Sequence, residues 1–124
     1  MSSRKDHIDQ AQHNEQFFSS FDISTTLFLD WVVSGVFYSA LHYLDSYFAK
    51  KGKHPLNHAA RNDLIFANKP DLGKPFYYLY RPLKDDSEEG RYNMRAFTPE
   101  EIRRDILPLL NDIKTHLRRF VPEI

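Results

Sequence analysis

Cysteine is absent from this chain of 124 residues. That excludes a disulfide framework, a thiolate nucleophile and a cysteine-based zinc site. It fits a reducing compartment, and a cytoplasmic location is expected. Net charge is absent as well, with 17 Lys and Arg against 17 Asp and Glu. No global field draws the protein to nucleic acid or to an anionic membrane, so any such contact must use a local patch. Long apolar runs are missing. The most apolar stretch, Leu27 to Ala49, is broken by Asp30, Ser34, Ser39, His42 and Asp45. A spanning helix would be mostly uninterrupted, so no membrane segment is expected. The polar start MSSRKDHIDQAQ has no apolar core of a signal peptide. No GxGxxG, P-loop or GxSxG occurs, nor an evident Ser–His–Asp order.

What is present is aromatic and helical. Ten Phe and seven Tyr supply large buried areas for a compact bundle or a dimer interface. The length suits one domain with a real core, 1–124, with a loose tail over 1–5. From Asp6 to Ser20, Ile8, Ala11, Phe18 and Phe21 recur at roughly helical spacing. Asp22 or Ser24 can cap the next helix, expected from about Thr25 to Lys51. That helix carries one stripe of Leu29, Val33, Val36, Phe37, Ala40, Leu44 and Phe48, and a second of Trp31, Gly35, Tyr38 and His42. Two stripes predict a helix covered on more than one side, at the centre of the bundle or facing a partner chain. Gly52 suits the position after the helix, and His54-Pro55 prevents continuation.

Asn57 is placed to cap a third helix to about Ala67, with Ala60, Leu64 and Ala67 inward. A fourth helix is expected from Pro75, made short or kinked by Pro82 and ended by Gly90, with Phe76, Leu79, Tyr80 and Leu83 inward. The fifth opens on Thr98-Pro99-Glu100-Glu101, which reads as a capping box with proline at the first helical position. Ile102, Ile106, Leu109, Leu110, Ile113, Leu117 and Phe120 form its apolar face, and Pro108 should bend it. No segment alternates like a half-buried strand. The fold class expected is all-α, an up-and-down bundle of about five helices.

Polar residues among the packing positions mark candidate sites, because they cost stability unless paired. His58 and Arg61 share one face of the third helix. They read either as a phosphate or nucleotide contact, for which the planar guanidinium is suited, or as a structural pair with a carboxylate such as Asp45. Tyr38 and His42 lie one turn apart, as core rings with bonded tips or as a wall of the same site. His54 and His58 have two-histidine metal spacing, but Pro55 puts His54 outside the helix and no third ligand is evident, so no metal and no cofactor is expected. Lys50, Lys51, Lys53 and His54 form a basic loop, either a solvated helix end or a nucleic-acid contact. In Gly90 to Phe97, Arg91, Tyr92 and Arg95 precede a helix N-terminus, where anions are favoured. The competing reading pairs these arginines with Asp85, Asp86, Glu88 or Glu89.

FYSALHYL in the second helix, then HPLNHAAR, then Tyr77 and Leu79, then Arg91-Tyr92 and an amphipathic last helix follow one another in a telling order. From about Trp31 to Phe120 the chain resembles the HEPN superfamily of small helical domains. The resemblance implies a bundle that commonly dimerises. It also implies RNA or nucleotide binding, often within toxin–antitoxin or defence systems, with a cognate antitoxin or nucleotidyltransferase protein as partner. Many members are metal-independent RNases using an Arg with a His four to six positions later. Arg91 matches the Arg. Ala96 and Phe97 stand where the His is expected, and neither side chain transfers a proton. His58, if it lay across a dimer from Arg91, is the one substitute the sequence offers. The expectation is a homodimer that binds RNA or a nucleotide with a degenerate catalytic motif. The competing one is a non-enzymatic homodimeric structural or regulatory protein.

Overall fold

The computed structural model describes residues 1–124. Five helical runs and no strands make up the chain: α1 (Arg4–Ser19), α2 (Leu29–Lys50), α3 (His58–Ala67), α4 (Gly73–Tyr92) and α5. The last, α5, is one continuous run of Pro99–Glu101, a π-helical turn Ile102–Ile106 and Leu107–Arg118. No helix is long and apolar enough to cross a membrane.

Most of the 22 residues of α2 are buried, so it is the central helix. Its first stripe packs Val33, Val36, Phe37, Ala40, Leu44 and Phe48 into one core with Ile65, Phe76, Tyr80, Leu83, Ile106, Ile113 and Leu117. Its second stripe faces α1, which runs antiparallel to it: His7 meets His42, and Phe18 meets Gly35. Close approach depends on that glycine. A Cβ at Gly35 would lie 3.0 Å from Phe18 Cβ and 3.3 Å from the Phe17 ring. On the far side, α4 runs antiparallel and α5 parallel to α2, while short α3 leans on α4. Four long helices thus run up and down around one core.

The starts of the helices show what the local sequence specifies. Asn57 Oδ1 accepts the Ala60 N–H at 2.8 Å, as its position predicts. Thr98 Oγ1 accepts the Glu101 N–H at 3.1 Å, and Pro99 sits at the first helical position. The box does not close, because Glu101 turns one oxygen to Arg95 at 3.0 Å. A complete box lies elsewhere: Ser3 Oγ accepts from Asp6 N–H at 3.1 Å and Asp6 accepts from Ser3 N–H at 2.9 Å. So α1 begins at Arg4, inside the stretch expected as a loose tail.

Other elements depart from expectation for local reasons. Neither Asp22 nor Ser24 caps α2, which starts at Leu29 without a side-chain cap. Asp22 Oδ1 instead accepts from Ser24 N–H at 2.9 Å and closes the loop on itself. The inward row of α3 is Arg61 and Ile65, while Ala67 is exposed. Pro82 does not shorten α4, which runs 20 residues. The carbonyl that Pro82 frees belongs to Tyr78, a residue 66% exposed on the solvent side of the helix. Pro108 is accommodated by the π-helical turn just before it, with Leu107 N–H bonding Ile102 C=O.

Candidate functional site

Arginine Arg91 sits in the last turn of α4, not in the loop where the sequence put it. Helix α4 passes through Gly90 because the next loop folds back over it. A Cβ there would come within 3.0 Å of the Phe97 ring. The Arg91 side chain then crosses to α2. Its Nε donates to the Ser87 carbonyl at 3.2 Å, and its Nη1 donates to the Tyr38 hydroxyl. The guanidinium stacks over the Tyr38 ring at 5.2 Å and over the exposed Tyr92 ring at 5.1 Å. No carboxylate forms an ion pair with it. The other two arginines singled out by sequence are differently placed.

Arg61 is spent on Asp45. Its Nε donates to Oδ1 at 2.8 Å and its Nη2 to Oδ2 at 3.0 Å. Both residues are buried, 7% and 6% exposed. Burial works against the guanidinium's charge, and the hydrogen bonds and charge of Asp45 more than offset it. His58 lies alongside, with Nδ1 3.5 Å from Arg61 Nη1. Burial lowers the pKa of His58, and nearby Arg61, Lys84 and Arg91 lower it further. Of the two readings of this pair, the geometry is that of a structural ion pair. The buried Tyr80 hydroxyl lies close to the Arg61 guanidinium.

Arg95 is spent as well. It bonds Asp86 at 2.6 Å, Glu89 at 2.9 Å and Glu101 at 3.0 Å, and stacks over Phe97 at 4.6 Å. It ties the end of α4 to the start of α5. The reading of paired arginines therefore holds for Arg95 and fails for Arg91.

Two hollows flank Arg91. The larger, about 570 Å³, also includes Asp30, Arg95 and Phe97. Its second arginine is already neutralised and Asp30 adds negative charge, so it is a poor place for an anion. The other, about 330 Å³, runs between α1 and α2. Gln10, Asn14 and Phe17 form its α1 wall, and Trp31, Ser34, Tyr38 and His42 its α2 wall, with Arg91 at one side. Trp31, the chain's single tryptophan, is 51% exposed. This cleft combines an unneutralised cation, a hydroxyl, two amides and an open indole face. Such a set can hold a phosphate and a planar ring together.

Tyr38, His42, Arg91 and, beside them, Tyr92 are thus brought to one place. Arg61, Arg95 and His58 do not line it. Gln10 and Asn14 were not anticipated. With His7 and Phe17 they recur at steps of three and four, a polar stripe beside the buried Ile8, Ala11 and Phe18 of α1. The basic loop is largely tied down: Lys50 donates to the Phe120 carbonyl and Lys51 lies 3.7 Å from Asp71. Nowhere do three or more His, Asp or Glu side chains gather closely enough to hold a metal ion. No protein-family model, no curated protein and no solved structure matches the chain.

Proposed function

We propose that the chain is a HEPN-like helical domain that binds RNA or a nucleotide in the cleft between α1 and α2. One observation carries this reading: Arg91 is a half-buried cation in a cleft wall with no carboxylate partner. A guanidinium has five N–H donors. Ser87 and Tyr38 use two, so both nitrogens of the fork keep donors for phosphate oxygens. Trp31 offers a face on which a base can stack, an interaction of about 1–3 kcal/mol. The amides of Gln10 and Asn14 are donors and acceptors suited to base edges. Cleavage is not part of the reading. Ala96 and Phe97 stand where the resemblance to the HEPN superfamily expects the catalytic histidine, and neither side chain transfers a proton.

The test uses the single tryptophan as reporter. Titrating the protein with a short single-stranded RNA should quench Trp31 fluorescence with saturation. Arg91→Ala should weaken binding roughly tenfold or more and flatten its salt dependence as a phosphate contact is lost. Arg95→Ala serves as the control and should bind like wild type. Unchanged affinity in Arg91→Ala, with native circular dichroism, would remove this reading.

A second reading is favoured by a different surface. Phe17, Phe21, Phe28 and Trp31 form an apolar group at the surface, with Phe28 54% exposed. In this reading the protein is a homodimeric interaction module with no ligand, and that surface is its contact. Light scattering over a concentration series should then show twice the chain mass, reverting to one with Phe28→Asp. A strict monomer at high concentration would rule it out.

A further inference from the structure

Where α1 meets α2 beside the cleft, two histidines touch through like atoms. His7 Nδ1 lies 3.1 Å from His42 Nδ1, and the rings stack at 5.4 Å with 29° between planes. Two lone pairs would repel at this distance, so one ring donates Nδ1–H and the other accepts. A first added proton can go to the free Nε2 of the donor ring, and the bond survives with a charge on one side. A second proton has only the acceptor Nδ1 left. That atom closes the bond, so the second proton both breaks it and sets two imidazolium rings in contact. The closed pair therefore holds at most one added proton.

We propose that His7 and His42 form an acid-sensitive latch that holds the α1 wall of the cleft against α2. The remaining anchors of α1 show what it would release. Glu15 bonds Tyr43 at 2.7 Å and Lys114 at 2.9 Å, and Phe18 is buried, so the second half of α1 is fixed independently of the histidines. The first half has Ile8, Ala11, a half-exposed ion pair of Arg4 with Glu123 at 3.6 Å and the histidine pair itself, with the Ala11 carbonyl taking a bond from Ser39 Oγ at 3.2 Å. Gln10 sits on the loosely held turns, three residues after His7, whereas Asn14 lies beside the Glu15 anchor. Opening the latch would swing the Gln10 amide out of the cleft and leave Asn14, Phe17 and Trp31 in place.

The surroundings do not rescue a second positive charge. Asp45 on α2 is the carboxylate that faces both rings, and it is committed to Arg61 of α3 through two bonds. Asp6 faces His7 but is held in the Ser3 box. The other facing groups are basic: His54 in the loop, Arg61, and Arg91 across the cleft from His42. Met1 also borders the hollow beside His7. Burial lowers both imidazoles from the ordinary histidine value, helped by His54 and Arg61 at His7 and by His7 and Arg61 at His42, and the charge of Asp45 does not offset it. The sign follows: a group with a depressed folded pKa contributes stability that is whole above its unfolded value and lost as pH falls through the folded value. Acid, not base, opens this contact.

The test follows hydrogen exchange and histidine ring resonances of the full chain from about pH 8 to about pH 4.5, a window set by histidine titration. Two separated titration steps are expected for His7 and His42. Protection of amides 7–14 should fall about tenfold or more across the lower step, while 35–48 stay protected. In His7→Phe, and independently in His42→Gln, protection of 7–14 should not change with pH. Equal, independent titration of the two rings would overturn the proposal. So would the same acid response in either variant, or unchanged protection in wild type. A second arm rests on the nucleotide-binding reading. An oligouridylate without terminal phosphate has no base that protonates over this range, so a loss of affinity at the lower step reports the cleft and not the probe. If the exchange switch appears and no RNA binds at any pH, the latch stands and the binding reading fails.

Discussion

Arg61 and Arg91 both reach from outer helices toward α2, and they meet opposite fates. Arg61 enters the core, where Asp45 takes its fork with two bonds and neutralises it. Arg91 stops at the edge, where it finds a hydroxyl, a carbonyl and two aromatic faces but no carboxylate in an ion pair with it. A buried charge has to be paired at once, because desolvation is costly. A half-buried one can wait for a ligand, because water serves it meanwhile. The lesson is that residue type does not mark a binding arginine. The degree to which the fold has already spent its donors does.

The comparison is tested most severely on the buried side. Arg61→Met leaves Asp45 as an uncompensated buried charge. The expected cost is about 3–5 kcal/mol, read as a large drop in urea midpoint. Arg61→Met with Asp45→Leu should recover most of that loss, since it removes both charges and keeps apolar volume. If Arg61→Met alone unfolds near the wild-type midpoint, the pair does not organise the core and the contrast with Arg91 collapses.

The sequence made much of this legible, and its failures have common causes. α2 was readable because its apolar stripe is long and nearly uninterrupted. The caps at Asn57 and Thr98 were readable because a side-chain oxygen three residues from a free N–H acts locally. The inward face of α3 was misjudged by one residue because periodicity counts arginine as outward, and Arg61 turns inward for a partner 16 positions away. The end of α4 was misjudged because Gly90 is there for Phe97, a contact made only after the loop folds back. The site followed the same division. Tyr38 and His42 stood out as polar groups among packing residues, and Arg91 as a cation expected just before a helix N-terminus. Their cleft did not, because its other wall is α1, and only tertiary packing brings Gln10 and Asn14 opposite them.

That wall offers the next test. Gly35 lets α1 approach α2 so closely that an added methyl would contact Phe18 Cβ at 3.0 Å, an atom fixed to the backbone. Gly35→Ala gains helix propensity but overpacks the seam. A net loss of about 1–3 kcal/mol is expected, together with a change in Trp31 emission, since the cleft would widen. A stabilised protein would mean that α1 is free to shift, and the cleft would not be a preformed site.

A smaller effect should come from the capping side chain of α5. Thr98→Ala removes the acceptor of the Glu101 N–H and should cost about 1 kcal/mol in denaturant unfolding. Arg95 still holds Glu101 through its side chain, so the helix start should be weakened and not lost. An unchanged midpoint would assign the fixing of this end to the Arg95 cluster alone.

The smallest stability change should come from Arg91 itself. Arg91→Met keeps the aliphatic stem and its packing on Tyr38 and removes the charge with the bonds to Ser87 and Tyr38. Those bonds are partly exposed and each is worth about 0.5 kcal/mol net or less. No buried carboxylate is orphaned, so the urea midpoint should move by less than about 1 kcal/mol. Over the same substitution, RNA binding followed by Trp31 quenching should weaken roughly tenfold or more, whereas the salt slope should drop by about one contact. The pair of numbers is what separates the two arginines. Large instability with Arg91→Met would make it a second Arg61, a structural residue whose anionic partner is replaced by stacked rings. Small instability with unaltered binding would leave its free donors without a ligand of this class.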